Sequence, residues 1–395
     1  MPGVSTSATA ASPGAAQVTP PAPFTPAELA RRRGLVADLA AERGLDAVVV
    51  YGANRAGSAV PWLTGWPVTR EAVLVMRPAR EPVLLVGFAN HVPNAARIAV
   101  DCEVRPCGER PAEMVTDLLD RPARLGVVGA LPGALWRELG RCGDVVELDG
   151  GFARLRRVKS EEERSHLRWA AHLTDRSAAA LVEAATPGAS ELDLVAEVEA
   201  TYAGTGASNH IHYVAATAMA DPDRCVPAQW PTDRRLEPGS VVVFELSTTW
   251  GVDYPGQLLR TVTVESGPSD LYRDLHAVAV EVHDAIVAAL RPGARPAELL
   301  AMADRVPSAG FVTVDDIVHG FGGGYLPPVL HQRAEPRGAH LEPLAVGMTL
   351  VVQPNVCTPD RRAGVQTGEL YEITADGARS MHAFPRGLLR GGDVL

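Results

Sequence analysis

The sequence predicts an α+β protein of two domains, in which a smaller α/β domain precedes a larger domain built from long helices and paired strands. Three observations indicate this class. The chain has 395 residues, more than one domain usually holds, and 46% of them are apolar. Short apolar runs alternate with helical segments up to about residue 155. Beyond that point, pairs of apolar runs lie beside long helical segments.

The first part of the chain predicts a tail followed by the α/β domain. Residues 1–23 are mostly Ala, Ser, Thr, Pro and Gly without periodicity, which is typical of a flexible tail. Thr25 and Pro26 suit the N-cap and first turn of a helix that reaches residue 43. The domain is predicted over residues 24–155, with strands at 47–51, 72–76, 82–86 and 124–128 and a helix near 134–139.

The second domain, predicted over residues 156–395, begins with a strong helix signal. Ser160 and Glu163 form a capping box, and acidic residues fill the first turn of a helix that reaches about residue 185. Ser190 caps a second helix to about residue 203. A third helix and several strands follow, the helix at 270–290 and the strands at 241–245, 258–264, 349–353, 364–366 and 369–373.

Charge and cysteine content exclude several classes of function. The formal net charge of −10 does not suit binding to a nucleic-acid backbone or an anionic membrane. We find no apolar run of the ~18 residues that a membrane span needs, and no secretory signal. The five cysteines show no CxxC spacing, which is typical of reduced, buried thiols. We therefore expect a cytoplasmic protein.

Seven segments of the second domain occur in an order that resembles the creatinase/prolidase/aminopeptidase P family. A WLTG segment at residues 62–65 resembles a further motif of that family. The seven segments are LRRVKS at 155–160, PGASE at 187–191, TDRRLEPG at 232–239, YPGQLLRT at 254–261, HGFG at 319–322, GMTLVVQP at 347–354 and GVQ at 364–366. The resemblance implies a C-terminal pita-bread catalytic domain after the smaller α/β domain.

The resemblance also implies where metal ligands would lie. Peptidases of this family hold two metal ions with two Asp, one His and two Glu. The corresponding positions in this chain are Glu245 or Leu246, Gln257, His319, Gln353 and Gly368. Two further histidines of the family are replaced, by the segment 228–230 and by Leu326.

Neutral amides are poor ligands for a pair of dications, so we expect no metal site and no cofactor. In this respect the chain is similar to creatinase, a family member that works without metal. There a pocket His transfers protons and glutamates hold a cationic group.

Four residues are candidates for catalysis. His319 precedes a Gly-rich turn and is expected at the end of a strand over 312–318, where an imidazole serves as general acid and base. His212 is a second candidate for proton transfer. Glu245, inside an apolar run, and Glu369 would hold a substrate cation. The competing interpretations are a structural histidine, an ordinary strand histidine and solvated strand-edge carboxylates.

Eight further residues are expected to bind the substrate. His210 would share a strand face with His212, because strand side chains alternate with period two. Three glutamines at or beside former metal positions would orient a polar substrate. Arg260 either binds a substrate carboxylate or, as we favour, supports the site from behind. The full set is His210, Asp253, Tyr254, Gln257, Arg260, Gln353, Gln366 and Tyr325.

The resemblance to creatinase therefore implies a metal-independent enzyme whose partner is a small-molecule substrate, either amino-acid-like or amidino. C–N bond hydrolysis with His319 as general acid/base is the leading reaction, and a lyase or cyclase tailoring step is a second. A metal-dependent Xaa-Pro peptidase with a divergent site is a third hypothesis, and a non-catalytic binding protein is a fourth. The resemblance implies a homodimer, in which Arg55 or Trp62 would enter the partner's pocket.

Overall fold

The computed structural model describes residues 19–54, 56–119, 124–332 and 338–395. Most of the predicted tail lies outside the described residues, and so does Arg55. The helices are α1 (Pro26–Glu42), α2 (Ala59–Thr64), α3 (Val92–Ile98), α4 (Pro111–Asp117), α5 (Gly133–Cys142), α6 (Asp149–Leu155), α7 (Glu161–Ala184), α8 (Glu191–Ala200), α9 (Asp270–Ala289), α10 (Pro296–Met302) and α11 (Arg305–Ser308). Short 3-10 turns occupy Ala89–His91 and Gly338–Leu341.

The strands divide into an N-terminal and a C-terminal group. The N-terminal group is β1 (Ala47–Ala53), β2 (Glu71–Met76), β3 (Val83–Val86), β4 (Glu103–Pro106), β5 (Leu125–Val128) and β6 (Val145–Glu147). The C-terminal group is β7 (Ser208–Ala218), β8 (Ser240–Thr249), β9 (Pro255–Thr263), β10 (Val312–Thr313), β11 (Val318–Phe321), β12 (Tyr325–Leu330), β13 (Thr349–Val352), β14 (Val356–Cys357), β15 (Gly368–Thr374), β16 (Gly377–Ser380) and β17 (Leu388–Arg390).

The N-terminal strands form one mixed sheet in the order β4-β3-β2-β1-β5-β6. β2 runs antiparallel to both β1 and β3, whereas β5 runs parallel to β1 and β6. β1 is buried on both faces, since alternate residues of the strand belong to different apolar clusters. This explains why its sequence is a continuous apolar run without alternation. The predicted α/β character of this domain is confirmed.

The caps predicted from sequence set the starts of three helices. The Thr25 hydroxyl accepts a hydrogen bond from the Glu28 amide at the start of α1. Ser160 and Glu163 form the predicted capping box of α7, and Ser190 with Asp193 forms the same motif at α8. Each cap satisfies amide groups that would otherwise lack a partner in the first helical turn.

Most of the C-terminal strands form one sheet in the order β12-β11-β13-β15-β9-β8-β7, in which β16 and β17 pair with β15 and β9, while β10 and β14 form a separate pair. The central strand β8 is buried along its whole length. Val241 and Val243 pack with α9 on one face, while Val242 and Phe244 pack with α7 and α8 on the other. This sheet between long helices confirms the pita-bread fold class predicted for the second domain.

Two strand predictions in this domain are wrong. The predicted strand over 312–318 is interrupted, because Val312 and Thr313 pair with β14 and the chain resumes pairing only at Val318. His319 therefore lies inside β11 rather than after a strand. Residues 364–366 form no strand beyond a single bridge from Gly364 to Cys357.

The two halves of the molecule are joined through the buried carboxylate of Glu163. Glu163 Oε1 accepts hydrogen bonds from Trp62 Nε1 and the Tyr254 hydroxyl, both at 2.9 Å. Arg32 Nη2 lies 3.7 Å from the same oxygen. Burial pushes the pKa of Glu163 upward, but Arg32, Lys159 and the hydrogen bonds outweigh burial and hold the pKa below its ordinary value.

Among the helices of the described residues, none has both the length and the apolar character that crossing a lipid bilayer requires.

We expect Glu163→Gln to lower the free energy of unfolding by about 2 kcal/mol at pH 7, because two hydrogen bonds to a charged oxygen become bonds to a neutral one. The folded-state pKa of Glu163 lies below the ordinary value of 4.5, so the charge stabilises the protein above that pH. The difference between wild type and variant should shrink as the pH falls through the folded-state pKa. Urea unfolding at several pH values measures it.

Glu161→Gln is the matched control on the same helix turn. Its side chain is 65% exposed and pairs with Arg164 at the surface, so its loss should cost less than about 1 kcal/mol. Equal destabilisation by the two variants would contradict a special role for Glu163.

Candidate functional site

A cavity of about 430 Å³ opens beside the larger sheet of the C-terminal domain. Its walls come from β7, β8, β9 and β11, together with the segments that follow the Gly-rich turn and β13. The polar side chains that line it are His210, Tyr213, Gln229, Glu245, Asp253, Gln257, Asp315, Asp316, His319, Tyr325 and Gln353. Six of the residues predicted from sequence are in this set besides Glu245: His210, Asp253, Gln257, His319, Tyr325 and Gln353.

A chain of amide hydrogen bonds crosses the base of the cavity. Gln257 Nε2 donates to Glu245 Oε1 and to Gln353 Oε1, both at 2.8 Å. The antiparallel register of β8 and β9 places Ser247 opposite Gln257 and thereby sets Glu245 two residues further along β8, on the same face. Gln353 follows directly after β13 and donates from Nε2 to the Asp316 carbonyl oxygen at 3.3 Å.

Three buried polar atoms of the lining residues have no hydrogen-bond partner. They are His319 Nε2, Gln257 Oε1 and Asp316 Oδ2. Buried polar groups are normally satisfied, and an exception indicates strain, a catalytic role or a place for a water molecule or an ion. All three atoms are hydrogen-bond acceptors in this arrangement. The cavity can therefore bind a hydrogen-bond donor or a cation through them.

His319 lies between two aromatic rings. Tyr325 stacks on the imidazole with ring centroids 4.2 Å apart, and Phe321 meets it edge-on at 5.0 Å. Its Nδ1 donates to the Gly320 carbonyl oxygen at 3.3 Å, which leaves the lone pair on Nε2. Burial lowers the pKa of His319 to about 4, so the ring is neutral at pH 7.

The carboxyl groups of the cavity are crowded and buried. Burial, with the neighbouring Asp315 and Asp316, raises the pKa of Glu245 to about 8. Burial and Asp316 likewise raise the pKa of Asp315 to about 6. Among the described lining residues there is no Lys or Arg to stabilise the ionised forms of these carboxyl groups. The cavity therefore favours a cationic ligand.

Asp315 and Asp316 were missed by the sequence reasoning. The run 312–318 looked like one apolar strand, but the two aspartates stand in its middle and the chain leaves the sheet there. Two adjacent acidic residues inside an apolar run, just before a candidate histidine, were the available signal.

Asp253 and His210 form the rim of the cavity on the side of the N-terminal domain. The His210 Nδ1 and Asp253 Oδ1 atoms are 3.8 Å apart. Burial lowers the pKa of His210, and Asp253 opposes that shift. Asp253 has a φ of 61°, a left-handed conformation that costs a non-glycine residue roughly 1 kcal/mol or more. Strain of this kind is concentrated at functional sites.

His212 does not line this cavity. The register of β7 shifts between Asn209 and Ile211, so His210 and His212 do not share the regular alternation that the sequence predicted. His212 Nδ1 donates to the Ile211 carbonyl oxygen, and Nε2 accepts from the Tyr202 hydroxyl at 2.9 Å. It lines an adjoining cavity of about 750 Å³, which shares His210 and Asp253 with the first.

Glu369 and Arg260 lie away from the cavity and pair with each other. Arg260 Nη2 donates to Glu369 Oε2 at 2.5 Å, and the Tyr371 hydroxyl donates to Glu369 Oε1 at 2.7 Å. Burial acts to raise the pKa of Glu369, but Arg260 and other partners hold it at about 2. The prediction that Glu369 holds a substrate cation does not fit this geometry, because the Arg260 guanidinium already pairs with the Glu369 carboxylate. The favoured supporting role of Arg260 does fit.

Two further predicted binding residues also lie outside the lining. The Tyr254 hydroxyl is used by Glu163, so it joins the domains and does not reach a substrate. The side-chain amide of Gln366 is buried and without a partner, while its backbone amide donates to Thr261 Oγ1 at 2.8 Å. Tyr254 and Gln366 both lie in family motifs, and the place of a residue in a motif does not determine where its side chain points.

The donors present do not fit a two-ion metal centre. In the part of the chain that the structure describes, no group of three or more His, Cys, Asp or Glu could hold a metal ion. The amide nitrogen of Gln257 faces Glu245, and an N–H group cannot act as a ligand. A Cβ at Gly368 would lie 2.8 Å from Gln353 Cβ, so a ligand side chain has no room there.

The fold and this site define a pita-bread protein whose cavity is lined by buried carboxyl groups. Residues 165–375, more than half of the chain, match the model of metallopeptidase family M24. The protein belongs to this family.

Sequence similarity to dipeptidases extends over most of the chain. The Xaa-Pro dipeptidase of Pyrococcus furiosus is 26% identical over 282 residues, which covers 70% of this chain and 78% of that protein. The probable dipeptidase PepE of Mycobacterium tuberculosis is 25% identical over 371 residues, covering 91% and 96%. Among solved structures, the prolidase of Pyrococcus horikoshii has a TM-score of 0.78 at 19% identity and covers 91% of this chain and 100% of its own. Dipeptidase PepE from Mycobacterium ulcerans has a TM-score of 0.76 at 23% identity, covering 93% and 99%.

We expect the double substitution Gln257→Asp with Gln353→Glu to create a binding site for one divalent cation. The change places two carboxylates beside Glu245 and His319 Nε2, which is a donor set that manganese and zinc accept. Isothermal titration with Mn²⁺ should show binding at least about tenfold tighter than in the wild type, since each 1.4 kcal/mol is tenfold.

Gln332→Glu makes the same amide-to-acid change away from the cavity and should leave Mn²⁺ binding unchanged. Wild-type protein that binds Mn²⁺ as tightly as the double variant would show that the amides do not prevent coordination.

Proposed function

We propose that the protein is a peptidase-type hydrolase that cleaves the C–N bond of a small, peptide-like substrate with a free amino group, and that it does so without a two-ion metal centre. Membership of family M24 supports the hydrolase class. The named relatives are dipeptidases, which favours hydrolysis over the lyase or cyclase hypothesis.

The observation that carries this proposal is the uncompensated acidity of the cavity. Carboxyl groups of Glu245, Asp253, Asp315 and Asp316 face it, and no Lys or Arg occurs among the described lining residues. Buried carboxylates are costly unless a cation pairs with them. The α-ammonium group of a substrate would supply that cation through charge-assisted hydrogen bonds. A volume of about 430 Å³ is within the range of small-ligand pockets.

Hydrolysis in this cavity requires two proton transfers. Water adds to the carbonyl carbon and gives a proton to a carboxylate, and the C–N bond then breaks as its nitrogen receives a proton. The products are a carboxylate and an amine. We assign these transfers to Glu245 and Asp315, the carboxyl groups that face the cavity beside the unpartnered acceptors. Burial holds the pKa of His319 at about 4, so we assign this neutral ring the orientation of water through Nε2.

A metal-dependent Xaa-Pro peptidase is the second candidate. The free acceptor atoms His319 Nε2 and Asp316 Oδ2 favour it, together with the names of the relatives. The two candidates differ in metal content and in the effect of a chelator on activity.

The test is turnover of dipeptides, with and without Pro in the second position, by protein freed of metal with a chelator. We expect hydrolysis of substrates with a free α-amino group, and at least about 30-fold lower kcat/KM for their N-acetyl derivatives, which lack the cation. Glu245→Gln should lower kcat by about 100-fold or more, as loss of a proton-transfer group does. Amine release measured by liquid chromatography reports each rate.

Glu237→Gln, an exposed change in a surface turn, is the control and should keep full activity. Activity that appears only after Mn²⁺ or Zn²⁺ is added, with stoichiometric metal in the purified protein, would establish the metal-dependent candidate instead. Equal turnover of free and N-acetylated dipeptides would overturn the binding of the amino group by the acidic cavity.

A further inference from the structure

A separate cavity of about 520 Å³ lies where the N-terminal domain meets the candidate site. Its walls include Ser58 and Asp149 from the N-terminal domain and Arg156 after α6. It shares Asp253, Gly324 and Tyr325 with the acidic cavity, so the two spaces adjoin. This second cavity is called the junction cavity below.

Arg156 brings a positive charge into the junction cavity. Its Nη1 donates to Ser58 Oγ at 2.7 Å and to the Gly323 carbonyl oxygen, and its guanidinium lies 4.4 Å from the Phe152 ring. Its Nε is buried without a hydrogen-bond partner. Within the described residues Arg156 makes no ion pair with a carboxylate, in contrast to Arg154 and Arg157, which both pair with Glu342.

The state of this guanidinium is unusual for a buried cation. Burial lowers the pKa of Arg156 to about 10, and Tyr254, Asp253, Glu163 and Asp149 oppose the shift, so the group is still charged at pH 7. Its direct hydrogen-bond acceptors are a hydroxyl and a carbonyl oxygen, both neutral. Buried charges normally pair with an opposite charge.

Gly324 and Tyr325 connect Arg156 to the acidic cavity. A Cβ at Gly324 would lie 3.3 Å from both Arg156 Nη1 and Ser58 Oγ, so glycine allows the guanidinium to approach the backbone. The next residue, Tyr325, stacks on His319. Gly324, which contacts Arg156, and Tyr325, which covers His319, are therefore consecutive residues. Their Cα atoms are about 3.8 Å apart, as in any trans peptide.

We propose that Arg156 binds the terminal carboxylate of the substrate, and that the junction cavity is the subsite for its C-terminal residue. This inference rests on the proposed function and makes it more specific, because it restricts the substrate to a short peptide with both ends free. The ammonium end lies among the carboxylates and the carboxylate end lies against Arg156. A planar guanidinium suits this role, since it holds a carboxylate with two parallel hydrogen bonds.

A purely structural role for Arg156 would be to fasten the Gly-rich turn to the N-terminal domain. That role predicts loss of stability in a variant but no dependence on the charge of the substrate's C-terminus. Discrimination between a dipeptide and its C-terminal amide separates the two roles, because the amide keeps the length and the amino group and removes only the negative charge.

The experiment compares kcat/KM for a dipeptide and for its C-terminal amide in wild type, Arg156→Gln and Arg156→Lys. We expect wild type to prefer the free acid by about 30-fold, because the amide loses the charge-assisted hydrogen bonds to the guanidinium. The preference should disappear in Arg156→Gln, mainly through KM, and be partly kept in Arg156→Lys. Arg154→Gln, which changes a neighbouring arginine outside the cavities, should keep it.

Equal kcat/KM of the wild type for the free acid and the amide would by itself overturn the assignment of Arg156, whatever the variants show. So would a preference for the acid that survives in a folded Arg156→Gln protein. If neither compound is cleaved, the proposed function fails, and calorimetric binding of the same two compounds then decides on Arg156. Tighter binding of the acid, lost in Arg156→Gln, supports the subsite, whereas equal binding of acid and amide overturns it.

Discussion

The amide group of Gln257 is the constraint from which the chemistry of this site follows. Its nitrogen donates to Glu245 and to Gln353, and so links β8, β9 and the segment after β13 across the base of the cavity. A carboxylate in its place would repel Glu245 and require a cation between them. With the amide, hydrogen bonds connect the strands directly. The same contact fixes one oxygen of Glu245 and leaves Gln257 Oε1 without a partner.

Charge is separated along the cleft. The acidic cavity holds buried carboxyl groups, and the junction cavity holds Arg156, so groups of opposite charge lie in two adjoining spaces. A low-dielectric cleft strengthens such a field, which orients a dipolar ligand before any contact with the reacting bond is made. Asp253, in its left-handed conformation, stands where the two spaces and the larger cavity beside His212 meet. Dimerisation stays a prediction.

Much of the fold followed from sequence, because caps and apolar runs are local signals. The capping box at Ser160, the N-cap at Ser190 and the paired strands β8 and β9 were predicted close to their observed positions. The site was predicted less fully. Glu369 lies beside a former metal position and Tyr254 lies in a family motif. Their side chains bind Arg260 and Glu163, and sequence spacing does not encode such contacts between distant segments. Asp315, Asp316 and Arg156 enter the cleft through breaks in the strands and through packing between the domains, which local patterns do not report.

The glycine at position 368 limits which substitutions this site can accept. The backbone of β15 lies so close to Gln353 that a Cβ would meet its Cβ at 2.8 Å. Any larger residue there would need neighbouring strands to move apart first, which would weaken the pairing of Val352 with Glu369. Single substitutions at Gly368 therefore meet a steric barrier. Gln229 and His210, by contrast, border the open space of two cavities.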